Sequence, residues 1–219
     1  MLQEKLDAIE DRIRRAAAHA GRRREDITLL AVTKKFPAQA IVAAAELGIR
    51  DFGENYVQEF EGKRAALAGL SARFHFIGHL QANKARKAVE LFDVIQTVDS
   101  ARVAERLNQA APAPLDVMIE VKLSPEQAKA GISPEDLPQL VSAVRACANL
   151  RLQGLMTMPP WSDEAEPSRP YFRRLRDLAA EHALTGLSMG MSHDFEVAIE
   201  EGATLIRIGT ALFGPRRRE

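Results

Sequence analysis

The apolar residues of this chain change their spacing at regular intervals. Short runs without alternation, such as Leu29-Leu30-Ala31-Val32, recur between longer stretches in which apolar residues return every three or four positions. The short runs are typical of parallel strands buried on both faces, and the longer stretches are typical of amphipathic helices. The pattern predicts eight strands, at 27–34, 49–53, 74–78, 94–98, 115–121, 150–158, 187–191 and 205–208.

A helix is predicted in each gap between these strands, and one more precedes them all. Leu2, Leu6, Ile9 and Ile13 fall on one face of this first helix, which Gly21 would end. The others are predicted at about 38–47, 56–68, 81–91, 101–110, 134–148, 169–182 and 193–201.

The alternation predicts an α/β fold, a single-domain (β/α)8 or TIM barrel. Residues 1–20 would form an extra N-terminal helix and residues 27–215 the barrel, within one domain spanning 1–219. An open doubly wound sheet stays an alternative, because hydrophobic periodicity does not tell whether a sheet closes.

Composition narrows the class of protein. Of the 219 residues 46% are hydrophobic, and 30 basic residues balance 30 acidic ones, so net charge gives no pull toward nucleic acid or anionic membrane. The one cysteine, Cys147, excludes an internal disulfide. The N-terminus lacks the apolar core of a signal peptide and no apolar run has membrane length, which predicts a cytoplasmic protein.

The candidate chemistry lies where the strands end, as is usual in such barrels. Lys34 ends the first apolar run. A cation at the end of a buried strand is unfavourable, so its presence suggests that the site uses the amine. Ser192 follows the seventh strand, and Gly209 and Thr210 follow the eighth, where barrels commonly bind phosphate. An amine with a phosphate cradle across the barrel mouth favours a phosphorylated aldehyde cofactor, pyridoxal 5'-phosphate (PLP), held covalently on Lys34 as a Schiff base.

Each of these residues also has a plainer interpretation. Ser192 is a candidate N-cap for a helix starting near Asp194, Gly209-Thr210 could be only a turn, and Lys34 could be solvated. Arg207 could face inward, where its charge would keep a pyridine nitrogen unprotonated, or outward in a salt bridge. The strand ends lack clustered carboxylates and three close histidines, which argues against a glycosidase or a zinc enzyme.

Six segments of the chain resemble the pyridoxal phosphate homeostasis proteins. They are LAVTK (30–34), FGENYVQE (52–59), HFIGHLQ (75–81), GLMTM (154–158), LSMGMS (187–192) and RIGTALFG (207–214). The resemblance implies a barrel similar to the N-terminal domain of alanine racemase, with PLP on Lys34, phosphate contacts at Ser192, Gly209 and Thr210, and Arg207 facing the pyridine nitrogen. It also brings Asn55, His79 and Met158 to the barrel mouth, whereas His193 departs from the family pattern.

The resemblance implies a carrier more than a catalyst. Racemases of this architecture use a tyrosine from an added domain, whereas this chain ends at Glu219 after the barrel, and Tyr56 and Tyr171 look unable to reach the ring. We therefore expect a monomeric, cytoplasmic PLP-binding protein without catalytic residues, acting in PLP (vitamin B6) homeostasis and in amino- and keto-acid balance. Its expected partners are PLP and, transiently, apo forms of PLP-dependent enzymes.

Two other functions stay open at this point. A PLP-dependent amino-acid racemase or related enzyme is the first, and a phosphosugar-metabolising barrel without PLP is the second. Lys122 and Lys129, on or near the long loop after the fifth strand, could receive the aldehyde during transfer, although solvated surface lysines are the plainer interpretation.

Overall fold

Eight parallel strands form a closed barrel in the computed structural model, which describes residues 1–124 and 130–215. The strands follow one another around the barrel in chain order, and β1 pairs with β8 to close it. Their bounds are β1 (Thr28–Val32), β2 (Asp51–Glu54), β3 (Arg73–Phe76), β4 (Val94–Val98), β5 (Leu115–Glu120), β6 (Leu150–Met156), β7 (Gly186–Met191) and β8 (Leu205–Ile208).

The helices surround this barrel. Within the described residues they are α1 (Leu2–His19), α2 (Ala38–Glu46), α3 (Val57–Arg64), α4 (Ala85–Leu91), α5 (Ala101–Ala110), α6 (Leu137–Arg145), α7 (Arg169–Glu181), α8 (Phe195–Glu200) and α9 (Thr210–Phe213). Short 3-10 turns lie at Arg24–Asp26, Ala65–Leu67, Ala82–Lys84 and Glu166–Ser168.

The (β/α)8 barrel with an extra N-terminal helix is therefore confirmed, and the open sheet is excluded. The element bounds differ in places. The predicted helix at 56–68 ends as a helix at Arg64 and tightens into a 3-10 turn, as helix ends often do. The sixth strand ends at Met156, before Met158, and the hydroxyl of the next residue, Thr157, donates to the Val121 carbonyl. None of the described helices combines the length and the apolar character that crossing a membrane requires.

Helix α1 fastens the part of the barrel that carries the last two strand-end loops. Its buried face, with Leu6, Ile9 and Ile13, packs against α8 and α9, which follow β7 and β8. A two-pronged ion pair joins Arg12 to Glu196 of α8, with nitrogen–oxygen distances of 3.0 and 2.7 Å. The extra helix thus supports the loops after β7 and β8 from outside.

Candidate functional site

A cavity of about 550 Å³ opens at the carboxyl ends of the strands. Seven of the eight predicted site residues line it: Lys34, Asn55, Met158, Ser192, Arg207, Gly209 and Thr210. The remaining lining residues are Val32, Ile77, Trp161, Met191, His193, Ala211 and Pro215. The apolar members give the cavity walls on which a flat ring could pack. Most polar members follow the ends of β1, β2, β7 and β8, whereas Arg207 lies within β8.

His79 is the predicted residue that lies elsewhere. It lines a neighbouring cavity with Asp99, Ser100 and Arg102, at the start of α5. Its side chain is 58% exposed, and its Nδ1 is 3.3 Å from Asp99 Oδ2. The structure therefore does not bring His79 together with the other seven residues.

Lys34 lies two residues beyond β1, in a turn that the Phe36 N–H closes by donating to the Thr33 carbonyl at 3.0 Å. Its neighbour Lys35 is exposed. Lys34 does not lie across the mouth from the phosphate loops. Because the barrel closes between β1 and β8, the loop of Lys34 is adjacent to the loop that follows β8.

The loops after β7 and β8 meet at Ser192. Its hydroxyl oxygen accepts the N–H groups of Gly209 at 3.2 Å and of Ala211 at 3.3 Å. Two backbone N–H groups thus converge on one oxygen atom at the cavity wall, which is the arrangement that holds a phosphate oxygen in many proteins. Gly209 is also the N-cap of α9, a helix of four residues that the sequence pattern did not predict.

The prediction that Ser192 caps the next helix is wrong. Helix α8 begins at Phe195 and its N-cap is Asp194. The chain folds back between them, because the Asp194 N–H donates to the Met191 carbonyl and the Met191 N–H donates to the Asp194 carboxylate. This turn directs the Ser192 hydroxyl toward β8 instead of α8.

Arg207 lies inside the barrel, which decides between the two orientations that the sequence left open. It is 3% exposed, and its guanidinium donates to the Ser188 hydroxyl and to the Thr157 carbonyl, both at 2.8 Å. Burial lowers the pKa of Arg207 to about 10, and the carboxylates of Asp194 and Glu120 oppose this effect. The side chain is therefore a cation near neutral pH.

A chain of hydrogen bonds extends from Arg207 through the barrel interior. The Ser188 hydroxyl accepts from Arg207 and donates to Gln96 Oε1 at 2.6 Å, and Gln96 Nε2 lies 2.9 Å from His75 Nδ1. His75 Nε2 lies 2.9 Å from Asp51 Oδ1. With the His75 proton on Nε2, every group in the chain donates toward Asp51, so the bonds are mutually consistent. This series of hydrogen bonds holds the Arg207 guanidinium in position from the barrel interior.

Glu120, at the end of β5, is a buried carboxyl that sequence reasoning missed. It is 3% exposed, and burial raises its pKa to about 7, while the nearby Arg207 cation lowers it and Asp99 raises it further. A group with this pKa exchanges its proton in the physiological range.

Three polar atoms in the described residues are buried without a hydrogen-bond partner: Glu54 Oε2, Asn55 Oδ1 and His193 Nε2. Asn55 and His193 line the cavity; a polar ligand there could donate to Asn55 Oδ1, whereas His193 Nε2 lies 3.4 Å from Asp194 Oδ2. The His193 ring also contacts Trp161, with ring centroids 4.2 Å apart. Sequence reasoning did not assign Trp161, although the chain's one tryptophan in a proline-rich loop after a strand was a usable signal.

The structure gives no support to the two lysines considered for transfer, Lys122 and Lys129, as residues of this cavity. Lys122 is half-buried beyond β5, where its N–H donates to the Ile132 carbonyl, and Lys129 is outside the described residues. Over residues 1–124 and 130–215, no group of three histidine, cysteine or acidic side chains could hold a metal ion.

Known proteins match this chain over nearly its whole length. A family model described as the N-terminal domain of alanine racemase matches residues 5–217. The pyridoxal phosphate homeostasis protein of Pseudomonas aeruginosa is 48% identical, over 98% of this chain and 96% of the relative.

Solved structures agree with these relatives. PipY of Synechococcus elongatus with PLP bound is 39% identical, with a TM-score of 0.84 over 98% of this chain and all of that one. Alanine racemase of Corynebacterium glutamicum is 22% identical, with a TM-score of 0.69, and this chain covers 62% of it. At that identity the racemase shows the shared fold alone.

Proposed function

We propose, since the chain belongs to the family of pyridoxal phosphate homeostasis proteins, that it binds PLP in the cavity at the carboxyl ends of the strands. The observation that carries the proposal is the meeting in one cavity of the Lys34 amine and the two N–H groups that converge on the Ser192 oxygen. The PLP-bound PipY structure, similar over its whole length, supports the same ligand.

The residues of the cavity fit the parts of PLP. The phosphate would replace the Ser192 hydroxyl oxygen as the acceptor of the N–H groups of Gly209 and Ala211, and the hydroxyls of Ser192 and Thr210 would lie beside it. Unpartnered Asn55 Oδ1 can accept a hydrogen bond from a polar group of the ligand.

Lys34 would hold the cofactor covalently. With PLP bound, its neutral Nζ would supply the amine that condenses with the aldehyde carbon to give a Schiff base, and the carbonyl oxygen would leave as water. When bound, PLP supplies an electron-withdrawing ring conjugated to this bond.

Arg207 bears on whether the bound cofactor would be active. A guanidinium that stays protonated beside the pyridine nitrogen would keep that nitrogen unprotonated, and such a ring is a weak electron sink.

The carrier proposal includes the cellular role. The chain would buffer free PLP in the cytoplasm as a monomer, pass it to apo forms of PLP-dependent enzymes and so influence amino- and keto-acid balance. The chain's two tyrosines, Tyr56 and Tyr171, both lie among the described residues, and neither lines the cavity. Neither is placed to act as the tyrosine proton carrier that racemases of this fold class take from an added domain.

The test is an absorbance spectrum of the purified protein with PLP, followed by borohydride reduction and peptide mass mapping. We expect a yellow protein with the reduced adduct on Lys34, and no adduct in Lys34→Ala. Lys35→Ala is the matched control, since Lys35 is the exposed neighbour. Quenching of the fluorescence of Trp161, the one tryptophan, reports binding independently. A covalent adduct that persists in Lys34→Ala would contradict the proposal.

Racemase activity is the second candidate, favoured by the fold shared with alanine racemases. Incubation of the PLP-loaded protein with L-alanine or L-serine distinguishes the two. Steady formation of the D-isomer, lost in Lys34→Ala, would favour the enzyme over the carrier.

A further inference from the structure

Next to Lys34, but outside the cavity lining, a buried cluster is centred on Lys63 of α3. The Lys63 ammonium donates to Glu54 Oε1 at 2.8 Å, to Glu59 Oε1 at 2.7 Å and to the Thr33 carbonyl at 3.1 Å. An ammonium has three N–H donors, so these bonds use all of them. The Lys63 residue is only 9% exposed and Glu54 is fully buried.

The cluster holds both neighbours of Lys34. On one side, the Thr33 hydroxyl donates to Glu54 Oε1 at 2.7 Å, while the Thr33 carbonyl accepts from Lys63. On the other side, the Lys35 N–H donates to Glu59 Oε1 at 2.5 Å. The two carboxylates that hold the turn therefore share a single ammonium.

The turn needs such support, because Lys35 has a φ of 64°. This left-handed conformation is unfavourable for a residue with a side chain, and it persists only where surrounding contacts fix it. The bond from the Lys35 N–H to Glu59 is such a contact. The direction in which the chain carries Lys34 away from β1 thus depends on where the Glu59 carboxylate is held.

We propose that Lys63 is a positioning residue for Lys34: its ammonium holds the carboxylates of Glu54 and Glu59 where they fix the turn that presents the Lys34 amine to the cavity. The inference rests on the proposed function, because it takes Lys34 as the residue that reacts with the aldehyde.

The charge state of Glu54 gives the cluster a second dependence on Lys63. Burial raises the pKa of Glu54, and the bonds from Lys63 and Thr33 oppose that effect. Without the ammonium, Glu54 would take up a proton more readily. The Thr33 hydroxyl would then donate to a neutral carboxyl instead of a carboxylate, and this hydrogen bond would be weaker. Loss of Lys63 would therefore loosen the turn on the Thr33 side as well.

The test compares Lys63→Met with Lys87→Met. Lys87 is a matched control, since it also pairs with two glutamates, Glu61 and Glu90, but on the surface of α4. The readouts are the rate of Schiff base formation after mixing with PLP, followed by absorbance, and the dependence of that rate on pH. We expect Lys63→Met to react about tenfold more slowly with a shifted pH profile, because misplacing a reacting group reduces rates steeply. Lys87→Met should behave as the wild type.

Loss of one partner of a buried ion pair can prevent folding, so a second variant is needed. Glu54→Gln/Lys63→Met leaves no unpaired buried Glu54 carboxylate. We expect it to regain the unfolding midpoint of the wild type but not its rate of reaction with PLP. Recovery of both would show a merely structural role and would overturn the inference.

The failures of the two proposals are distinguishable. A wild-type rate and pH profile in Lys63→Met, with the reduced adduct mapped to Lys34, would overturn the positioning role alone. An adduct that persists in Lys34→Ala would overturn the proposed function and this inference with it.

Discussion

Glu120 gives the most quantitative prediction about the stability of this protein. Burial at the end of β5 raises its pKa from 4.5 to about 7. We consider Glu120→Gln, because glutamine is close in shape to the protonated acid and does not ionise. The difference between the two proteins then measures what the ionisation of Glu120 costs the folded state.

The sign follows from the direction of the change in pKa. Below pH 4.5 Glu120 is protonated in both the folded and the unfolded chain, so its ionisation costs nothing. As the pH rises from 4.5 toward 7, the unfolded chain ionises first and the folded state loses relative stability; above 7 the loss is constant.

The magnitude follows from the same two pKa values. Each pKa unit corresponds to about 1.4 kcal/mol. The loss is therefore roughly 3 kcal/mol at about pH 8.5 and roughly 1 kcal/mol at about pH 5.5. We expect the gain in unfolding free energy from Glu120→Gln to be larger by about 2 kcal/mol at the higher pH.

Urea unfolding of both proteins at the two pH values measures this difference. Glu105→Gln, on the exposed face of α5, is the matched control and should give the same small change at both pH values. A gain from Glu120→Gln that is equal at both pH values, or larger in acid, would refute the assignment of Glu120 as a carboxyl neutralised by burial.

Three further predictions concern two glycines and the interior hydrogen-bond chain. Gly209→Ala should fold normally, because a Cβ there would meet Val32 at an ordinary 3.4 Å, but should weaken PLP binding about tenfold by narrowing the cavity, measured by fluorescence titration. Gly190→Ala should lower the unfolding free energy by roughly 2 kcal/mol or more, seen in urea unfolding, since the position has a φ of 88° and the new Cβ would lie 2.5 Å from Ala198 Cβ. Gln96→Leu should lower the unfolding free energy by about 2 to 4 kcal/mol in the same assay, because it leaves the buried side chains of Ser188 and His75 without a hydrogen-bond partner. A smaller loss would contradict the importance of this hydrogen-bond chain for stability.

The fold was largely predictable because each strand is a short apolar run and each helix a periodic one. All eight strands were placed by this pattern. Helix α9 was not, because four residues are too few to show a period. The turn from Met191 to Asp194 reversed the expected role of Ser192, since side-chain bonds within a turn are not visible in apolar spacing.

Part of the site was beyond sequence reasoning for a different reason. His75, Gln96 and Ser188 are polar residues inside largely apolar strands, and on their own they look like exceptions to the pattern. Their meaning comes from bonding to one another across the barrel, which depends on three-dimensional register. Resemblance to a family could place Lys34 and Arg207 at the mouth, but not the residues that hold them.

Closure of the barrel brings residues from the two ends of the chain into one site. In the observed register Leu30 pairs with Arg207 and Ala31 with Ile208, so the turn of Lys34 leaves β1 beside the point where Gly209 leaves β8. In an open sheet with β1 and β8 apart, the same residues would end on separate loops with no shared cavity. On strand β8, the Arg207 cation lies inside the barrel, where Ser188 of β7 and Thr157, just beyond β6, provide its acceptors. The amine and the phosphate-type loop are therefore brought together by a single pairing, and a change that shifts the register of β1 against β8 should abolish PLP binding even in a variant that keeps its helices.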